Sequence, residues 1–492
     1  MVVVLLISLY TTRVVLQVLG VIDYGVYNVV CGFVAMFAFL NTSMSNGIQR
    51  FFNYEYGKNG EEGANKVYCT SIFIQALLAI FVVVFVEAFG LWYLHSKMVI
   101  PDNRIYAAEW IFQLAILTFV IGIMQAPFTA AVTAHEKFDF YAVISVMDAI
   151  LKLGMVYIIK YLPSDKLIIY GIITTIVALL NIIIYYVYCK KNFKEIYFNK
   201  NINKDLFKKM LSFSGWNLFG SFSGVMEGQG INLVLNFFYG PVVNAARGVA
   251  NQINGGVQSF VSNITMPVRP QVTQSYAVGD TKRTLILTYG VSKMSCAIIF
   301  LLAVPAFFEI DYILSLWLGK SVPAYTASFT VLILLTSIVN NLNAAISNVV
   351  HATGIMRDYQ LLGSIVRVCS VPIAYFLLTR YNIPELGLIA VLLTATLTHL
   401  VCLFIARRIV RFSMKEYFRT VVWPILIILI ICIAFIYPIH HYMQEGLLRL
   451  IVVSVSSSLL IGVLFFYIAF NTTERRLALQ LLKPIQSIFI RK

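Results

Sequence analysis

The stretch Ser71-Ile72-Phe73-Ile74-Gln75-Ala76-Leu77-Leu78-Ala79-Ile80-Phe81-Val82-Val83-Val84-Phe85-Val86 contains no charged residue, and its extension to 67–94 adds only Glu87. An apolar run of this length matches a helix crossing a hydrocarbon core roughly 30 Å thick. Similar runs recur from end to end, separated by short charged or Pro/Gly-containing connections. The composition agrees, with 60% hydrophobic and 12% charged residues, where a soluble domain carries roughly 25% charged. The chain therefore reads as an all-α polytopic membrane protein with no soluble catalytic domain.

Working outward from that run, about fourteen spans fall near 1–19, 25–48, 67–94, 109–133, 139–159, 167–189, 209–239, 243–266, 286–308, 324–350, 359–379, 386–406, 420–440 and 446–470. Residues 1–19 lack the basic leader and small-residue cleavage site of a signal peptide, so they count as the first span. A chain opening at Met1 already inside a span implies a missing short leader or a misplaced start. Seven cysteines lie singly in or beside apolar spans, with no CxxC and no metal-ligand spacing, and read as packing residues.

Lys and Arg mark the cytoplasmic loops of membrane proteins. Of 37 basic residues, 25 fall in loops after even-numbered spans or in the C-terminal tail. Lys97, Arg104, Lys160, Lys166, Lys320, Arg380 and Arg449 fall in loops after odd-numbered spans. Both termini are therefore expected in the cytoplasm. The net charge of +15 is spread over one membrane face, with no aromatic-interleaved patch for nucleic acid.

The basic connection 191–208 separates two sets of six spans, 1–190 and 209–412. Spans 13 and 14 (413–470) and a basic tail (471–492) follow. Ala134 to Tyr141 after span four has a counterpart 218 residues on, Ala352 to Tyr359 after span ten, and Arg50 and Gly57 after span two match Arg269 and Gly279 after span eight. An even number of spans per repeat makes the repeats parallel, an arrangement found in alternating-access transporters. Two parallel six-helix bundles plus two C-terminal helices are expected.

Polar residues concentrate in a few spans. In span eight, Asn244, Arg247, Asn251, Asn254, Gln258, Ser262 and Thr265 recur every three or four residues and share one helical face. Span seven adds Asn217, Ser221, Asn232 and Asn236, and span ten adds Asn340, Asn343, Ser347 and His351. Interhelical hydrogen bonding explains a single intramembrane Asn, whereas a full-length stripe favours a cavity lining. Arg13, Lys152, Arg247, Lys293 and Arg367 lie in or beside apolar spans, as do Glu87, Asp148 and Glu227. Such residues are costly in lipid and turn toward a bundle interior or water. Asp148 and Lys152 stand one turn apart, where ion pairing and a functional role are equally open. Glu227 either pairs with an Arg or binds a coupling proton or cation. Arg13 and Arg247 have no acid one turn away in the sequence, and an Arg fork suits an anionic phosphate. His440 and His441 read as a pair at the membrane interface, with no metal implied. No P-loop, dinucleotide turn or nucleophile elbow appears, so no cofactor is expected.

Two motifs carry a family resemblance. Arg13-x-x-Leu16-x-x-Leu19-Gly20-x-x-Asp23-Tyr24-Gly25-x-Tyr27, with Gln49-Arg50-Phe51 and Glu55-x-Gly57, resembles the first hairpin of the polysaccharide-export (Wzx-like) branch of the MOP flippase superfamily. The more specific match runs from Gln229-Gly230-Ile231-Asn232 and Asn236 through Gly240-Pro241-Val242-Val243-Asn244-Ala245-Ala246-Arg247-Gly248 to Arg269-Pro270-Gln271. The resemblance covers nearly the whole chain. It implies a flippase, not an enzyme, that moves undecaprenyl-diphosphate-linked oligosaccharide (an O-antigen, capsule or exopolysaccharide repeat unit) across a bacterial inner membrane. The implied partners are that lipid-linked oligosaccharide, membrane lipids and polysaccharide-assembly proteins. The implied site is a cationic cavity with Arg13, Arg50, Arg247 and Arg269 at motif positions, where spans one, two, seven and eight converge. Glu227 is less typical of the family.

Multidrug or cation antiporters and lipid II flippases share this fold and stay open as alternatives. The intramembrane balance of five bases to three acids suits an anion better than a cation. A membrane-embedded glycan polymerase or ligase would display a large outer loop, and the longest outer connection here is about 15 residues, near 95–108.

Overall fold

The computed structural model describes residues 2–159, 163, 165–199, 203–265, 268–353, 355, 357–410, 412–472, 474 and 475. These are helical almost throughout, and none lies in a strand. The helices are α1 (Val2–Ala35), α2 (Ala38–Ser96), α3 (Ile105–Ala134), α4 (Phe138–Ile159), α5 (Lys166–Asn192), α6 (Lys204–Val225), α7 (Ile231–Tyr239), α8 (Pro241–Thr265) and α9 (Val268–Ala277). They continue as α10 (Thr281–Leu318), α11 (Thr326–Thr353), α12 (Arg357–Val368), α13 (Ser370–Arg380), α14 (Glu385–Val410), α15 (Met414–Tyr417), α16 (Trp423–Tyr442) and α17 (Leu447–Leu464).

Eleven helices among the described residues are long and apolar enough to cross a membrane. Two features separate this number from the fourteen spans expected. First, α1 and α2 each run past a glycine in the left-handed region, Gly20 (φ 80°) and Gly60 (φ 61°), so neighbouring segments count as one helix. A glycine adopts that conformation without the Cβ clash other residues meet. Second, α6 to α8, which cover expected spans seven and eight, carry too many polar side chains to stand out by hydropathy. The expected span at 25–48 is also interrupted, because a hydrogen-bonded turn at Met36 and Phe37 separates α1 from α2.

The opening apolar run shows how packing sorts residues of equal hydropathy. Ala79, Val82 and Val86 are buried, whereas Ile80, Phe81, Val84 and Phe85 are exposed. The alternation follows the helical repeat: one stripe faces neighbouring helices and the other is left for lipid chains. Trp92, Tyr106 and Trp110 stand exposed near the ends of α2 and α3, as expected for side chains anchoring a helix at the membrane interface.

Two compact units are present, with boundaries running through α8, α12 and α14. The first comprises Met1–Ala250, Lys320–Thr326 and Ser364–Val391, and the second Asn251–Gly319, Ala327–Gly363 and Leu392–Lys492. In the first, one core gathers Ile48, Phe52, Tyr68, Phe128, Tyr185 and Phe193. A second core joins Val26, Val30, Val86, Ile111, Phe112 and Leu167. In the second unit, α10 leaves helical geometry at Glu309 (φ −113°, ψ 16°), four residues after Pro305, a residue type that kinks helices by removing one backbone donor. The buried Glu309 carboxylate takes Arg449 Nε at 2.9 Å and His440 Nδ1 at 2.9 Å. His440, expected beside His441 at the interface, is thus tied to α10. Lys293 is likewise buried, bonded to Glu474 at 2.6 Å and to the Ala469 carbonyl at 3.0 Å.

Candidate functional site

Within the first unit, α6 ends in a π-helical turn, Met226–Gly230, before α7 begins. A π turn adds one residue to the helical ladder, re-aims the side chains around it and recurs at functional sites. Glu227 occupies this turn, and its Oε2 lies 3.0 Å from Nε of Arg367 on α12. The partner of Glu227 thus lies 140 residues away in sequence. Arg247 on α8 also interacts electrostatically with Glu227. Arg247 is 7% exposed, and its Nε is buried with no hydrogen-bond partner among the described residues. A carboxylate flanked by two guanidinium groups leaves net positive charge at this point, and an unpartnered guanidinium donor is suited to an anionic oxygen.

Three Asn residues of the expected polar seam lie beside this cluster and bond to protein. Asn244 donates through Nδ2 to both the carbonyl and Oδ1 of Asn232, each at 2.7 Å. Asn232 donates in turn to the Asn28 carbonyl at 3.2 Å. Asn236 pairs with the backbone of Val99, accepting from its N–H at 2.9 Å and donating to its carbonyl at 3.2 Å. These amides fasten α7 and α8 to α1 and to the segment after α2, and Asn244 Oδ1 stays buried without a partner among the described residues.

Further along α8, in the second unit, Asn254 accepts from Ser337 at 2.6 Å and Gln258 accepts from Asn341 at 3.2 Å, both partners lying on α11, while Asn251 is exposed. Asn343 accepts from Tyr359 at 3.1 Å in the same unit.

Arg13 occupies a different setting. With Tyr10, Gln17, Tyr157 and Lys166 it lines a cavity of about 480 Å³ between α1 and α4. Asp148 and Lys152 form an ion pair at 2.8 Å, and Asn181 donates to Asp148 at 2.7 Å. Arg50 is exposed on α2 and sits over the Phe51 ring, 5.8 Å from its centroid. The Arg269 and Asn217 side chains lie outside the described residues. Of the five bases in or beside apolar spans, Lys152, Lys293 and Arg367 thus form ion pairs.

Sequence reasoning missed the role of Arg104, which counted only as a loop charge. It bridges Asp23 (2.6 Å) and Asp165 (2.7 Å), drawing together α1, the turn before α3 and the start of α5. Asp23 belongs to the first quoted motif, but nothing local ties it to a base 81 residues away.

The fold matches solved membrane transport proteins. A lipid II flippase, MurJ, in an inward closed conformation superposes with a TM-score of 0.71 at 13% identity, covering 94% of this chain and 97% of that one. An inward-facing multidrug resistance MATE family transporter of the MOP superfamily gives a TM-score of 0.69 at 13% identity, covering 82% of this chain and 94% of that one. A MATE structure in the straight conformation gives 0.60 at 13% identity, covering 83% and 93%. The chain is thus a multi-pass membrane protein with the MOP superfamily fold. A polysaccharide biosynthesis protein family model matches residues 2–274, more than half of the chain, and the chain belongs to that family. No curated protein sequence matches it.

Proposed function

We propose that this protein moves a diphosphate-linked lipid oligosaccharide, carried on undecaprenyl, from the cytoplasmic to the outer leaflet of a bacterial inner membrane by alternating access, with both termini in the cytoplasm. The observation that carries the reading is the buried Arg247 beside the Glu227–Arg367 pair, with an unpartnered guanidinium donor inside the membrane-spanning fold of a polysaccharide biosynthesis family member. A diphosphate offers the dense negative charge that such a donor recognises. Arg13, beside Lys166 and two tyrosine hydroxyls, forms a second cationic station, and Arg50 and Arg269 are assigned to the approach. Asn251, Asn254 and Gln258 are assigned to the polar path. The MurJ likeness supports a lipid-linked diphosphate as substrate class, because lipid II is the cargo that protein's name prints.

A multidrug antiporter would use an intramembrane carboxylate to take up a cation. Here Glu227 is held by Arg367, which favours the anionic substrate. Deleting the gene tests the proposal. Lipid-linked oligosaccharide is expected to accumulate on the cytoplasmic leaflet and to clear when the intact chain is restored, whereas an unchanged leaflet distribution in the deletion strain contradicts it.

A further inference from the structure

Within the first unit, two adjoining cavities share Asn41 and Gly122 in their linings. One, of about 310 Å³, is lined by Asn41, Ser45 and Gln49 of α2 and by Gln125, Thr129 and Thr133 of α3. The other, of about 270 Å³, continues past Gly122 to Tyr27, Phe119 and Thr174. On each helix the polar residues recur at intervals of four and so form one stripe. Two stripes of amides and hydroxyls therefore face each other across a gap.

Among the described residues, none that lines either cavity is charged. This excludes the diphosphate, which has no cation to meet there, and equally a cationic drug, which has no carboxylate. The amides of Gln49 and Gln125 make no hydrogen bond to any described residue. Behind them Gln75 is fully buried, reaching Asn41 Oδ1 at 3.4 Å through Nε2, while its own Oε1 has no partner among the described residues. Unsatisfied amides inside a membrane domain belong to water-filled or ligand-filled space. Uncharged donors and acceptors flanked by aromatic faces match a neutral, polyhydroxylated ligand, and each volume is close to the lower end of small-ligand pockets, roughly 300 Å³.

We infer that this cleft binds neutral sugar residues of the transported glycan, apart from the cationic groups assigned to the diphosphate. The inference rests on the flippase reading and adds a recognition site inside one unit. Gly122 supplies the means to close it. A Cβ built there meets no atom within 4 Å, so a leucine enters the junction of the two cavities without a backbone clash and with better helix propensity than glycine.

The test uses the full chain in lipid nanodiscs, with bare farnesyl diphosphate and four synthetic farnesyl diphosphates carrying a neutral disaccharide of glucose, galactose, mannose or N-acetylglucosamine. At least one glycosylated probe is expected to bind about tenfold more tightly than the bare diphosphate, a gain of about 1.4 kcal/mol. Gly122→Leu is expected to bring that probe to the affinity of the bare one while leaving bare-diphosphate binding unchanged. Gln125→Leu, which keeps the helix and removes an amide, is expected to weaken the same preference if Gly122→Leu fails to fold. No preference for any glycosylated probe, or a preference that survives both variants, overturns the inference. Failure to bind bare farnesyl diphosphate overturns the carrier reading instead. The free disaccharides then decide the cleft: binding blocked by Gly122→Leu supports it, and no binding overturns it.

Discussion

Gly25 has no room for a side chain: a Cβ there would lie 1.9 Å from the Pro241 carbonyl oxygen. The backbones of α1 and α8 meet at this point, and one repeat further along, Gly32 faces the Gln229 and Asn232 side chains at 2.6 and 2.8 Å by the same construction. Small residues that allow such approach are what hold helices together where lipid offers no hydrophobic driving force. Gly25→Ala is expected to destabilise the detergent-solubilised protein by about 1–3 kcal/mol, the range typical of overpacking, read as a lowered melting temperature. Gly122→Ala, where a Cβ meets nothing, serves as the tolerated comparison. Both partners of the Gly25 contact were visible in the sequence, in two motifs more than 200 residues apart, but their contact was not, because it depends on tertiary packing alone. The same holds for Glu227. Its intramembrane position was plain, and the polar stripe on α8 pointed to Arg247, whereas Arg367 had no local signal. Arg367→Met is expected to cost about 1–3 kcal/mol by taking the direct ion-pair partner from the Glu227 carboxylate, with Arg247 left as its neighbouring charge. The double variant Glu227→Gln/Arg367→Met is expected to recover most of that loss in the same thermal measurement. Losses of Glu227→Gln and Arg367→Met that simply add in the double variant would show that the pair is not coupled.

At the scale of elements, the π turn at Met226–Gly230 adds one residue to the ladder between α6 and α7. Deleting Gly228, which has open space around it, removes the extra residue and converts the wide turn to regular α-helix, which re-aims the side chains of the turn itself, Glu227 among them, while the flanking helices keep nearly the same phase. Such a variant is expected to insert and fold but to lose translocation, checked by surface expression against transport. Wild-type transport would remove the turn from the mechanism. No sequence periodicity announces a π turn, although Gly220, Gly224 and Gly228 recur at every fourth residue, a spacing suited to close helix contact. The Arg104 clamp is a second element-scale device. Burial pushes the Asp165 carboxyl upward, but hydrogen bonding and charge from Arg104 and the Leu167 and Ile168 amides outweigh it and hold the carboxyl below its usual value. A carboxyl lowered in the folded state contributes stability that is present above its unfolded value, about 3.9, and lost as pH falls through the folded value. Hydrogen exchange at the start of α5 is therefore expected to stay slow from neutral pH down to about pH 4 and to quicken below it. In Arg104→Gln the Asp165 carboxyl loses most of what holds it down, so exchange is expected to be faster already at neutral pH and its acid-dependent quickening to shrink, and identical profiles would contradict the clamp.

For the whole molecule, the membrane class was legible because apolar runs of spanning length recur along the chain, and the polysaccharide biosynthesis family because two motifs carried it. Which face of each run points inward was not legible, since Val82 and Val84 are equally apolar and only packing separates the buried from the exposed. Helices α6 to α8 gave a mixed signal, because the polar side chains that fasten α7 and α8 to α1 also lower their hydropathy. The amide and hydroxyl stripes on α2 and α3 were readable by the same four-residue spacing that exposed α8, but they sit inside strongly apolar runs that mask them. The central claim, an anionic lipid-linked glycan carried past Arg247, is tested most directly in proteoliposomes. The measurement is the rate at which a fluorescent diphosphate-linked lipid oligosaccharide becomes accessible to a membrane-impermeant quencher. The intact chain is expected to speed this well above protein-free vesicles, and Arg247→Ala to slow it at least about tenfold, equivalent to about 1.4 kcal/mol in the barrier. Equal rates for Arg247→Ala and the intact chain, or no acceleration by the intact chain, would contradict the account.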